Sequence, residues 1–186
     1  MFGTTHALLC RFYDQAAIPD LKHRKARNTA MAVHPGHVAE SAVVPGDLHV
    51  VWGLIKSMQF KFFKQVVQAK CEEGSDVGAL GQHTIAYTDN TVQTLRITEI
   101  SERLPLKRSI GMEMVSSDPP VEYSARNDTI SLSAVTHGDR PAVYVEYTSD
   151  FSSDATTAIL EDSKFKKREF FDDLVAFSGS AGSAAA

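Results

Sequence analysis

Five polar or charged residues fall in step with the apolar residues of predicted β-strands: His83, Tyr87, Glu99, Arg108 and Tyr147. Alternate side chains of a strand point to the same face, so all five are predicted to face the buried side of a sheet. Imidazole and carboxylate groups can move protons near neutral pH, which makes His83 and Glu99 the candidates for general acid–base catalysis. A lone histidine near a strand start is also often simply solvated, and both interpretations of His83 stay open.

Glu99 and Arg108 lie symmetrically about a predicted connection at Arg103 and Leu104, which suggests that they are cross-strand neighbours. A buried ion pair is costly unless it is hydrogen-bonded or hydrated, so an inward pair would indicate a wet pocket. If the strand ends instead flare into solvent, the pair forms a surface salt bridge that contributes about 0–1 kcal/mol.

The sequence contains no familiar catalytic or metal-binding motif. The seven histidines form no HExxH pattern, and no nucleophile elbow or pair of carboxylates stands out. Cys10 and Cys71 lack metal-ligand spacing and are interpreted as reduced thiols. Gly74, Gly78 and Gly81 indicate a turn that leads into a bent strand, because no phosphate-loop residues accompany them. We therefore expect no metal and no cofactor.

Composition predicts one domain with a single core. The chain has 186 residues, of which 43% are hydrophobic, and a formal net charge of −4. This acidic balance argues against nucleic acid as a partner, since phosphate binding requires clustered basic residues. No apolar run approaches the length of about 18 residues that indicates a membrane-spanning helix.

The two ends of the chain differ from the middle. The first 30 residues carry five basic and two acidic residues, a net charge of +3, and lack strand-like alternation. We predict residues 1–34 to be an N-terminal extension: a disordered segment, an organelle-targeting leader or a partner-binding arm. Residues 35–178 form the predicted ligand-binding domain and residues 179–186 a flexible Gly/Ser/Ala tail. The expected location is cytoplasmic, or an organelle if the extension is a leader.

The rest of the chain is organised around a predicted helix over residues 154–177, which contain neither glycine nor proline. Phe170 and Leu174 lie on its apolar face. Asp154 is the predicted N-cap, and Gly179 is expected to follow the end of the helix. The run of Lys164, Lys166, Lys167 and Arg168 is interpreted as its solvated face, with membrane docking as the alternative.

Almost everything before this helix is predicted to be β-structure. The first strand covers residues 37–44, followed by short helices over about 46–58 and 59–64. Trp52 is interpreted as a packing anchor in the first of them. The remaining strands are predicted at 66–72, 81–88, 92–101, 106–115, 123–135 and 141–151. One apolar and one polar face along these strands predicts an antiparallel sheet that packs on the helix.

Three segments carry a resemblance to a known superfamily. They are His37 to Asp47 with Trp52 downstream, Phe60-Lys-Phe-Phe followed by Val66 to Gly74, and Asp150-Phe151 leading into the long helix. Over residues 37–177 the chain resembles the helix-grip superfamily of the major birch pollen allergen, START domains and bacterial polyketide cyclases. The resemblance implies an α+β fold, in which a curved, antiparallel, seven-stranded sheet wraps around a long C-terminal helix, with two short helices after the first strand.

The resemblance also implies an apolar cavity between sheet and helix. The predicted ligand-binding residues are Tyr87, Ile97, Arg108, Met112, Leu132, Val145, Tyr147, Phe170 and Leu174. We expect a monomer that binds a hydrophobic or amphipathic small molecule (lipid, sterol or polyketide-like) for carriage or sensing, with at most transient membrane contact. Two alternatives stay open: a polyketide cyclase-like or dehydratase-like enzyme using His83 or Glu99, and a non-enzymatic regulatory or co-chaperone-like protein.

Overall fold

The computed structural model describes residues 36–72 and 80–183, with the backbone alone for residues 181–183. These residues belong to the second of two units into which the chain divides, residues 33–186. The predicted extension over residues 1–34 lies outside the described residues. So do Gly74 and Gly78 of the predicted glycine turn.

The described chain forms seven strands and two helices. In order they are β1 (Gly36–Pro45), α1 (Leu48–Lys56), β2 (Val66–Cys71), β3 (Gln82–Tyr87), β4 (Val92–Arg103), β5 (Lys107–Asp118), β6 (Arg126–Val135), β7 (Ala142–Phe151) and α2 (Thr157–Ser183). The strands form one antiparallel sheet in the order β1-β7-β6-β5-β4-β3-β2. The predicted fold, a seven-stranded antiparallel sheet with a long C-terminal helix, is confirmed.

One face of the sheet is apolar, as the alternation predicts. The buried residues on it are Ile85, Leu95, Ile97, Ile110, Met112, Ile130, Leu132, Val143 and Val145, each at most 3% exposed. At one end of the sheet this face packs on α1, whose Val51, Trp52 and Ile55 are buried. Asp47 caps α1 by accepting a hydrogen bond from the backbone N–H of His49 at 2.7 Å. Trp52 is the packing anchor that was predicted.

The second short helix does not form. Residues 59–64 instead make successive turns, in which the N–H of Phe63 donates to the carbonyl of Phe60 at 2.8 Å. Positive φ angles at Met58 (54°) and Phe60 (44°) interrupt any helix. The turns allow Phe60 and Phe62 to pack on the same ring of Phe170, at 6.1 and 5.1 Å between centroids. Residues two apart on a helix do not share a face, so a helix could not make both contacts.

A β-bulge in β4 overturns the predicted position of Glu99. Ile97 pairs with Met112, but the next pair is Glu99 with Gly111, so Thr98 is an extra residue in the strand. The bulge reverses the alternation beyond it, and Glu99 is exposed rather than inward. Gly111 accommodates the bulge, since a Cβ atom there would lie 3.2 Å from the Oγ1 atom of Thr98.

The register beyond the bulge gives Arg108 a different partner from the one predicted. Glu102, not Glu99, lies opposite Arg108. The Glu102 carboxylate accepts hydrogen bonds from Trp52 Nε1 at 3.1 Å and Lys56 Nζ at 2.8 Å. This polar cluster joins the β4–β5 hairpin to α1. Because Glu99 and Arg108 are not paired, they form neither the wet pocket nor the surface salt bridge that were the two interpretations of this pair.

Helix α2 begins and ends later than predicted. Thr156 caps it, with its Oγ1 atom accepting from the N–H of Ile159 at 3.4 Å. Asp154 instead accepts hydrogen bonds from the hydroxyl and the backbone N–H of Ser124 in the β5–β6 loop. These hydrogen bonds, of which the one from the hydroxyl has the largest effect, lower the pKa of the Asp154 carboxyl to about 2. At the other end the helix continues through Gly179 to Ser183, so the predicted helix end is wrong.

Candidate ligand-binding cavity

A cavity of about 670 Å³ lies at the end of the sheet opposite α1, between the first half of α2 and the inward face of the strands. The β3–β4 turn and the loop of Pro119 and Pro120 contribute to its rim. Its volume lies within the range of about 300–1,000 Å³ that is usual for small-molecule sites. The inward face is therefore filled with side chains at the α1 end and open at the other.

One wall of the cavity is aromatic and apolar. Phe170 of α2 is at its centre, with ring centroids of Phe63 at 5.6 Å and Tyr147 at 5.3 Å. Leu95 and Met112 extend this wall along the sheet. Methionine adapts its shape readily, so the wall can accommodate apolar ligands of different outline.

A buried ion pair from β6 also lines the cavity. The Nε atom of Arg126 lies 3.0 Å from Oδ2 of Asp128, in ionic contact but without hydrogen-bond alignment. The terminal guanidinium nitrogens of Arg126 donate to the Tyr123 hydroxyl at 3.3 Å and to Gln93 Oε1 at 3.1 Å. The side chain of Asp128 is only 1% exposed, so the pair is held away from solvent and fixed in orientation.

Lys167 of α2 extends this ion pair through Ser149 of β7. Its ammonium group donates to Ser149 Oγ at 2.5 Å and to Ser163 Oγ at 3.0 Å, and lies 4.2 Å from the ring centroid of Tyr147. Ser149 donates in turn to Asp128. Burial lowers the pKa of Lys167 to about 8, although the Asp128 carboxylate opposes that shift. The amine therefore stays mainly protonated at neutral pH.

Two tyrosines of the sheet, Tyr87 and Tyr147, also line the cavity. Burial raises the pKa of Tyr87 to about 12 and that of Tyr147 well above 10. Both hydroxyls therefore stay protonated at physiological pH and can donate a hydrogen bond to a ligand.

Four of the predicted ligand-binding residues line the cavity: Tyr87, Met112, Tyr147 and Phe170. The other five do not line it; Ile97, Leu132, Val145 and Leu174 are part of the packed core, and Arg108 lies beside α1. The terminal guanidinium nitrogen of Arg108 is 3.4 Å from His49 Nδ1. Alternation along a strand predicted the correct face but could not distinguish the filled end from the open end.

Neither of the two catalytic candidates lines this cavity. Glu99 is exposed because of the bulge, and His83 is 0% exposed, in register with Cys71 of β2 and Leu95 of β4. The interpretation of His83 as solvated is therefore wrong. Burial lowers its pKa, and neither ring nitrogen has a hydrogen-bond partner within residues 36–72 and 80–183. Its neutral imidazole behaves as a core side chain.

Sequence reasoning missed the buried charged cluster of the cavity, which consists of Arg126, Asp128 and Lys167. Arg126 and Asp128 share the alternation of Ile130, and they were overlooked because charged residues at a strand start suggest solvent. Lys167 was assigned to the solvated face of α2, yet it lies seven residues before Leu174, close to two helical turns. Both signals were present in the sequence.

Two further searches of the described residues gave negative results. Neither helix is long and apolar enough to cross a membrane, counting only residues that the structure describes. Within the same residues, histidine, cysteine and carboxylate side chains form no group of three or more that could hold a metal ion.

Comparison with solved structures identifies the fold. A protein from Nitrosospira multiformis superposes with a TM-score of 0.66 and 21% identity, over 77% of this chain and 96% of its own. A START superfamily protein from Mycobacterium smegmatis superposes with a TM-score of 0.62 and 8% identity, over 78% of this chain and 98% of its own. Ginseng major latex-like protein 151 superposes with a TM-score of 0.57 and 15% identity, over 77% of this chain and 97% of its own. The chain therefore has the helix-grip fold.

A scan against models of protein families and a search of curated proteins gave no match to this sequence. At these identities the structural likeness establishes the fold alone, and function has to be argued from the cavity.

Proposed function

We propose that this chain binds a hydrophobic or amphipathic small molecule, such as a lipid, a sterol or a polyketide-like compound, for carriage or sensing. The observation that supports this is a cavity of about 670 Å³ with an aromatic wall and a few buried polar groups. The apolar part of such a ligand would transfer from water into contact with Phe63, Met112 and Phe170. Burying an apolar surface as large as that of one Leu or Phe side chain contributes about 1.5–3 kcal/mol to the free energy of binding.

The two alternatives receive less support. The enzyme hypothesis was based on His83 and Glu99, and neither residue lines the cavity. A regulatory or co-chaperone-like protein that acts only through its surface needs no internal cavity, whereas here only the α1 end of the interior is filled with side chains. The monomeric state, transient membrane contact and the cytoplasmic location remain predictions.

Binding of the neutral dye Nile red, followed by its fluorescence, tests the proposal. We expect saturable binding near one dye per chain and at least about tenfold weaker binding by Leu95→Trp, because an indole at this buried position of the wall fills the cavity. Leu104→Trp is the matched control, since Leu104 is 69% exposed and does not line the cavity. Absence of saturable binding, or equal loss in both variants, would contradict the proposal.

A further inference from the structure

We infer that the ligand of this cavity is an amphipathic monoanion, whose single carboxylate binds beside the guanidinium of Arg126 and the ammonium of Lys167. This inference rests on the function proposed above and narrows its ligand class. It depends on the charge balance inside the cavity, on the hydrogen-bond donors that remain there, and on the position of the cations next to the aromatic wall.

The charge of the buried cluster in the cavity does not balance. Arg126 and Lys167 bring two positive charges and Asp128 one negative charge, which leaves an excess of +1 in this cluster. All three are shielded: the Arg126 side chain is 15% exposed, Asp128 is 1% exposed and Lys167 4%. Because a buried charge without a counter-ion is costly, one bound anion would stabilise this wall.

The neighbouring charged groups do not supply that anion. Glu40 of β1 faces Lys167, but its carboxylate is paired with Arg168 at 3.1 Å. The other ionisable residues that line the cavity are Asp89, Glu122, Asp162, Lys166 and Glu169. Four of these are exposed to solvent and Glu169 is half-buried, so water screens them more strongly than the buried cluster.

Hydrogen-bond donors remain for a carboxylate. Arginine has five N–H groups, and the two terminal nitrogens of Arg126 each make one hydrogen bond within the described residues. One N–H is therefore left on each of these nitrogens. The hydroxyl of Tyr147 donates to no described residue and is kept protonated by its raised pKa. Paired guanidinium donors suit the two oxygens of a carboxylate.

The cations adjoin the apolar wall, which gives the ligand its amphipathic character. Lys167 lies over the ring of Tyr147, and that ring packs on Phe170 with centroids 5.3 Å apart. A carboxylate at Lys167 would place the attached carbon chain against these rings. A neutral ester or alcohol would make the same apolar contacts but leave the excess positive charge in place.

The pH dependence has a definite direction. Lys167 is faced by Asp128 and Arg126 of β6, Glu40 of β1 and Tyr147 of β7, and its pKa lies at about 8. As the pH rises through that value the ammonium loses its charge, so carboxylate affinity falls. A fatty carboxylate stays ionised throughout this range, and the binding of its methyl ester is expected to stay constant.

The test compares cis-parinaric acid with its methyl ester by fluorescence titration of the full chain. We expect the acid to bind at least about tenfold more tightly than the ester near neutral pH. The affinity of the unmodified chain for the acid should fall between about pH 7 and about pH 9.5.

Lys167→Gln should weaken acid binding about tenfold with little change for the ester, and Lys167→Arg should retain the preference for the acid. Lys164→Gln, which changes a lysine outside the cavity on the same helix, should behave as wild type.

The outcomes separate this inference from the proposed function. Equal binding of acid and ester, unaffected by pH or by Lys167→Gln, would overturn the anion inference and leave the proposed function standing. Failure of both probes to bind would overturn both. A preference for the acid that is lost in Lys164→Gln as fully as in Lys167→Gln would also overturn it, because surface charge would then be the cause.

Discussion

Replacing Phe170 with alanine is expected to lower the free energy of unfolding by about 3–5 kcal/mol. Phe170 is 3% exposed, and its ring lies 5.1–6.1 Å from five other aromatic rings. These rings belong to the turns after α1, to β7 and to α2 itself, so the truncation removes contacts that join all three. Urea unfolding followed by circular dichroism measures the loss.

Phe165→Ala is the matched control for this prediction. Phe165 lies on the same helix but is 59% exposed, so its removal should change the stability by about 0.5 kcal/mol or less. Comparable losses in the two variants would show that α2 does not pack on the sheet through Phe170.

Asp128→Asn is expected to cost about 3–5 kcal/mol of stability, although the side chain keeps its size. The substitution removes the anion of the buried cluster and leaves Arg126 and Lys167 without a counter-charge in a site that is barely exposed. The hydrogen bond from Ser149 can persist, because an amide oxygen also accepts. The effect therefore isolates charge, and urea unfolding at neutral pH measures it.

Asp162→Asn makes the same chemical change at the surface of α2. Asp162 and its partner Lys166 are both 59% exposed, and such pairs contribute about 0.3–0.5 kcal/mol. Equal, small losses in both variants would mean that water in the cavity screens the Arg126–Asp128 pair, and that this cluster is not a desolvated site.

The fold could be predicted from the sequence because its main signals are local and repeated. Alternation in five successive strands specified the apolar face of the sheet. Two local features escaped prediction. The bulge at Thr98 depends on pairing with Gly111 in the neighbouring strand, and the turns at Phe60 depend on packing against Phe170, which is distant in sequence.

The cavity was only partly predictable, for a different reason. Leu132 and Tyr147 share one face of the sheet, but Leu132 belongs to the packed core, whereas Tyr147 lines the cavity. Whether a side chain on this face is packed or lines the cavity depends on where the helices cross its strand. A single sequence does not specify that crossing. The burial of Lys167 follows from helical spacing, and charge alone led to its assignment as solvated.

Native mass spectrometry of the protein purified gently from its own source would show whether the cavity holds a small molecule. We expect one bound small molecule per chain, and extraction should release an amphipathic compound that carries one anionic group. A bound mass should persist in Leu104→Trp and be lost in Leu95→Trp, which fills the cavity wall. A chain that carries no ligand and also fails to bind Nile red would contradict the proposed function in small-molecule binding.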